Sequence, residues 1–152
     1  SYDLRVVEEM LNSGFAPQII SMEINEKIPS GVFFTVEYDD DHYWQGDHFF
    51  GCSIDAAYMI LSKFKYVLYK LEWNNAIFIN PNLASKHQIS SLEPAQAYNS
   101  GYKMRNDRRN IFPWNHDVEN WLNLTPEHAA SAVNKYFEKY EGKFTCFVTK
   151  EL

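Results

Sequence analysis

Apolar and polar positions along the chain fall into runs of different period. Near the start, Leu4, Val7, Met10 and Leu11 recur at helical spacing, with Asp3 placed to cap and Gly14 where a helix-ending glycine belongs. A first helix is predicted there. After Pro17, "QIISMEIN" (18–25) is a short apolar run with β-branched residues, the pattern of an interior strand in a sheet covered on both faces. "EKIPSG" breaks that run. "VFFTVEY" (32–38) predicts a short strand and "DDDHYWQGDHFFG" (39–51) a long polar and aromatic loop. Ser53 can cap a second helix reaching Phe64, with Ala57, Ile60, Leu61 and Phe64 facing inward. "YVLYKLEW" and "AIFIN" predict two strands joined by a type I′ turn at Asn74-Asn75, because asparagine tolerates positive φ. Pro81 ends the pair.

From residue 84 to 124 the composition turns polar, and irregular structure is expected. Thr125-Pro126-Glu127 supplies a cap, a proline at the first helical position and an acid in the first turn, so a helix is predicted over about 126–140. Gly142 closes it, and "KFTCFVT" (143–149) alternates like a final strand. The predicted fold is α/β: a partial doubly wound sheet, mostly parallel, with a C-terminal antiparallel hairpin. Residues 1–83 form that unit, and a tail over 84–152 packs on the same domain.

Composition narrows the class. A chain of 152 residues, 45% hydrophobic and 22% charged, suits one globular domain with a real core. Its 11 Phe, 10 Tyr and 4 Trp imply large apolar contacts in the core or at a partner surface. A net charge of −6 argues against nucleic-acid binding, which needs a basic face. No stretch approaches the roughly 18 apolar residues of a membrane span, and no signal-peptide pattern opens the sequence. The two cysteines, Cys52 and Cys146, make neither a metal-like pair nor a disulfide framework, so a cytoplasmic location is expected.

Several chemistries are tested by spacing. "GDHFFGCS" (46–53) has the glycine frame of a phosphate loop, but Cys52 stands where the lysine belongs and Asp47 would repel an anion. Asp39, Asp40, Asp41, His42, Asp47 and His48 crowd one loop without the spacing of a calcium or zinc site, so a solvated acidic loop is expected. Cys52 near His48 suggests a nucleophile, yet a small buried residue at a helix start explains it better. Glu23, Asn25 and Glu26 are stronger candidates. They sit at the carboxyl end of the predicted interior strand, the edge where open α/β sheets bind ligands. In the following loop Trp44 and Phe49 could wall a pocket, with Asp47 or His48 as its polar tip.

"PQIISMEINEKIPSG", "YDDDHYWQGDHFFGCSIDAAY" and "YVLYKLEWNNAIFIN", in that order, resemble the C-terminal half of S-adenosylmethionine-dependent methyltransferases of the FkbM-like kind. Such proteins carry an I-E-x-N strand end, a W-x-G-x-x-F-F-G-x-S loop entering a helix, and a closing hairpin with asparagines in its turn. Tyr2 and Asp3 match the end of the acidic segment that precedes this region. The resemblance covers about residues 1–83. It implies methyl transfer, with Glu23 and Asn25 near the acceptor and Asp3, Trp44, Ser53 and Asn75 on the substrate side, where the loop reading adds Asp47 and His48. The family's glycine-rich cofactor turn has no counterpart in this sequence. The resemblance therefore places S-adenosylmethionine in a longer parent protein and implies an isolated chain without activity.

Two readings follow. One is a methyltransferase domain acting on a small-molecule or glycan acceptor. The other is a non-catalytic interaction or oligomerisation module derived from it. Either way the unpaired inner edge of "IISMEIN" calls for a homo-oligomer or a partner carrying the missing half.

Overall fold

The computed structural model describes residues 2–41 and 43–149; His42 of the acidic loop lies outside them. In chain order the elements are α1 (Asp3–Asn12), β1 (Ile19–Glu23), β2 (Val32–Val36), α2 (Ile54–Lys63), β3 (Val67–Glu72), β4 (Asn75–Ile79), α3 (Pro81–Lys86), α4 (Pro94–Tyr98), α5 (Arg108–Ile111), α6 (Pro126–Tyr136) and β5 (Phe144–Val148). The strands form two sheets, one ordered β1-β4-β3 and the other β2-β5.

Every strand pairing within these sheets is antiparallel, which overturns the expected mostly parallel, doubly wound sheet. The cause is the hairpin. A two-residue link forces β4 to run back along β3, and β4 then takes the central place with Ala76 and Phe78 fully buried. β1 pairs with the other edge of β4, from Ile19 opposite Ile79 to Glu23 opposite Asn75. β1 and β3 thus point the same way without touching. The turn also differs from the expected one. Its central residues are Trp73 and Asn74, and only Trp73 has positive φ (58°), whereas a type I′ turn needs two such residues. Tertiary contacts hold Trp73 there: its amide donates to the Gly101 carbonyl at 3.2 Å, and the Arg105 guanidinium lies 3.6 Å from its ring centroid.

β1 is not covered on both faces. Ile20 and Met22 are buried, while Ile19, Ser21 and Glu23 are exposed. That alternation is what an antiparallel sheet with one solvated face requires. The buried face joins α1, α2 and α4 in one core that includes Leu4, Ile24, Leu61, Leu68, Phe78 and Tyr98. Ser53 caps α2 as predicted, accepting the Ala56 amide at 3.1 Å. Met10, expected inside α1, is 38% exposed.

The second core surrounds β2, where all five residues are buried. β5 pairs here and not with β1, as the stacked rings of Phe33 and Phe147 mark (centroids 4.5 Å apart). Phe34 meets Phe49, Phe137 and Phe144, and α6 closes the layer with Ala129, Ala130 and Val133. The polar stretch 84–124 is helical in short pieces: α3, α4, a wide turn at Asn99–Lys103, α5 and two tight turns. Gly101 lies in that wide turn because a Cβ there would stand 2.2 Å from the Leu71 carbonyl oxygen. No helix of the described residues is long and apolar enough to cross a membrane.

Candidate functional site

At the carboxyl end of β1, Glu23 stands exposed, its Oε1 accepting from Asn74 Nδ2 at 2.7 Å. Asn75 Nδ2 in turn donates to Asn74 Oδ1 at 3.1 Å. Partial burial, then the like charges of Glu26 and Asp3, push the Glu23 carboxyl above its ordinary range. The sheet register makes this cluster: Glu23 and Glu72 flank Asn75 from the two sides of the central strand. Of the predicted residues, the fold joins Glu23 and Asn75 through Asn74, and Asp3 acts on Glu23 through its charge. With Asn74 they offer a carboxylate with raised basicity beside two amide side chains, able to orient a hydroxyl or amine or to accept its proton.

Asn25 has a different task. It is fully buried, and its Nδ2 donates to the carbonyls of His48 at 2.9 Å and Phe50 at 3.0 Å. Its own amide donates to the Cys52 carbonyl at 2.7 Å. Asn25 therefore ties the long loop to the end of β1. Ser53 is likewise internal, its Oγ accepting the Phe34 amide as well as that of Ala56. Cys52 is completely buried, and burial raises its thiol far above the ordinary value, so it is no thiolate nucleophile.

The loop's polar tip faces the C-terminal part of the chain. Asp47 accepts from Tyr140 Oη at 2.6 Å and Lys139 Nζ at 3.4 Å. Burial acts to raise its pKa, but those bonds and the Phe49 amide hold it below the ordinary range. His48 Nε2 lies 2.9 Å from Asp117 Oδ1, and Tyr136 donates to the other Asp117 oxygen at 3.1 Å. Trp44 is 59% exposed, with its indole N–H donating to the Asp47 carbonyl at 2.7 Å. Its ring meets that of Phe50 edge-on, with centroids 6.1 Å apart, while the Phe49 ring stacks on Tyr140 at 3.9 Å in the second core. Among the described residues no group of three or more His, Cys, Asp or Glu is arranged to hold a metal ion.

Two polar features are assembled only by the fold, the first around the candidate Glu26. The first is a buried ion pair, Glu26 with Lys27 (3.3 Å), both almost inaccessible. Asn115 Nδ2 donates to Glu26 Oε1 at 2.7 Å and Tyr98 Oη to the Glu26 carbonyl at 2.6 Å. Burial lowers the Lys27 pKa, while the adjacent Glu26 charge acts to raise it. Asn115 lies 89 residues from Glu26, and only the folded chain joins them. The second is a half-open cleft of about 840 Å³ between the loop at Pro29–Gly31, α2 and α4, with Asp55 in its wall. The family models, curated proteins and solved structures searched contain no match to this chain.

Proposed function

We propose that this chain is the acceptor-side part of an S-adenosylmethionine-dependent methyltransferase of the FkbM-like kind, with Glu23 positioning the acceptor hydroxyl or amine and accepting its proton. The observation that carries the reading is the meeting of the resembling segments. The "MEIN" strand and the asparagine hairpin lie side by side in one sheet, joined by Glu23 and Asn74, and Asn25 ties in the W-x-G-x-x-F-F-G loop.

The residues present do not fit the cofactor. Gly46 and Gly51 lie between β2 and α2, where a cradle would belong. A Cβ on Gly51 would meet the Asn25 amide nitrogen at 3.9 Å, inside the bond network that fixes the loop. The methyl donor therefore has no site among these residues. Calorimetry with S-adenosylmethionine tests this. The chain alone should give no isotherm, and a one-to-one curve at micromolar affinity would overturn the assignment. In the complete protein, Glu23→Gln should lower methyl transfer steeply; unchanged transfer would remove Glu23 from the acceptor site.

A specific observation favours the second reading, a non-catalytic association module. Ile24 donates to Asn74 and Asn80 to Gln18, so the alternate residues Ile19, Ser21 and Glu23 turn their backbone groups away from β4. These three make no backbone hydrogen bond to any other described segment. They form an open edge able to pair with a second copy or with a partner's strand. Light scattering on a size-exclusion column separates the outcomes: a dimer supports edge pairing, and a clean monomer at high concentration removes self-association.

A further inference from the structure

The three-stranded sheet has two outer edges, and only one is guarded. On β3 the register is irregular between Leu68 and Lys70, and the Lys70 side chain stands exposed. The chain also covers that edge: the Leu92 amide donates to the Leu68 carbonyl at 2.8 Å, and Ser91 Oγ accepts the Leu68 amide at 3.2 Å. Bulges, lysines and covering segments are the means by which sheets keep their edges from pairing. β1 has none of them. It pairs with β4 without irregularity from Ile19 to Glu23 and holds no lysine or proline. The outward backbone groups of Ile19, Ser21 and Glu23 have no partner among the described residues, and Ile19 itself is 56% exposed.

We propose that β1 pairs antiparallel with β1 of a second copy of this chain, about a twofold axis between the two Ser21 residues, so that one six-stranded sheet results. The proposal rests on the association reading of this edge and names its occupant. A twofold axis reverses the strand direction, so two copies of one edge can meet only antiparallel. Outward groups fall on alternate residues with Ser21 in the middle. Centring there sets Ile19 opposite Glu23 of the second copy and Ser21 opposite its own equivalent, each pair exchanging both backbone bonds. No other register uses all three residues of both copies. A shift toward the start brings in Pro17, which has no N–H, and a shift toward the end brings in Asn25, whose amide is already given to Cys52. The same register keeps the two Glu23 carboxylates apart, each against an isoleucine. Ile20 and Met22 of both copies then lie on the helix-covered side, and both Glu23 side chains stay on the solvated one.

The test is light scattering of the whole chain at rising concentration, joined to residue-resolved amide exchange. A five-residue edge is small, so a weak, concentration-dependent dimer is expected. In it the amides of Ile19, Ser21 and Glu23 should exchange at least about tenfold more slowly than in the dilute chain. Ser21→Pro removes a donor from the edge, where proline is tolerated, and should leave a folded monomer. Ile19→Glu sets like charges opposite each other and Ile19→Lys opposite ones, so the lysine variant should dimerise several-fold more tightly. A dimer whose three amides stay unprotected, or one that survives Ser21→Pro, would overturn this pairing and leave association to another surface. Equal affinities of the two Ile19 variants would overturn the register. A monomer at every concentration would overturn the proposal and self-association together.

Discussion

β1 and β2 are both five-residue strands rich in apolar side chains, yet the fold treats them in opposite ways. β1 buries alternate residues and leaves one edge without a strand, whereas β2 is buried at every position and faces an aromatic layer from α6, β5 and the long loop. The difference teaches that apolar content does not measure burial. "IISME" contains a serine and a glutamate at the spacing that faces solvent, while "VFFTV" has only one polar residue, and β5 and α6 arrive from more than ninety residues away to cover it. Stability should accordingly concentrate around β2, and chemistry around the exposed end of β1.

The largest expected effect contrasts the two strands directly. Phe34→Ala should cost about 3–5 kcal/mol in urea unfolding, because the removed ring leaves a cavity among Phe49, Phe137 and Phe144. Ile19→Ala, at 56% exposure, should cost less than about 1 kcal/mol. Equal losses would mean that β1 is as enclosed as β2.

Asp55→Asn should act in the stabilising direction. The folded carboxyl takes its proton near pH 6, while in the unfolded chain it does so near 4. Holding it charged at pH 7 thus costs about 3 kcal/mol, and that cost fades as the pH falls from about 6 toward 4. The variant should exceed the parent in stability at pH 7 by up to about that amount, with the gap narrowing at pH 4. A gap that widens on acidification would contradict the assigned shift.

A smaller loss is expected at the junction between the strands. Asn25→Ala removes the donor to the His48 and Phe50 carbonyls and should cost about 2 kcal/mol. Amides of the 43–52 loop should then exchange faster, and unchanged protection there would show that other contacts hold the loop. Glu23→Gln should have the smallest effect on stability, within about 0.5 kcal/mol, since the side chain is exposed and its bond to Asn74 can be kept. A melting-temperature fall of more than a few degrees would assign Glu23 to structure.

Local signals in the sequence determined much of the chain. Ser53 before an apolar helical stripe, Thr125-Pro126 before another, and Gly14 after the first helix all mark boundaries, because capping chemistry acts within one turn. The alternation of "KFTCFVT" identified a strand but not its neighbour. Pairing of β5 with β2, the central place of β4, and the Trp73 turn were decided by the tertiary structure, since each depends on contacts between distant segments. The site divides in the same way. Glu23 could be read at a strand end, but the internal roles of Asn25 and Ser53 could not, nor could the joining of Glu26 to Asn115 or the burial of Asp55 beside Thr149. Sequence period reports which face of an element is apolar; which element covers that face, and which polar atom is left without a partner, is fixed only when the layers pack.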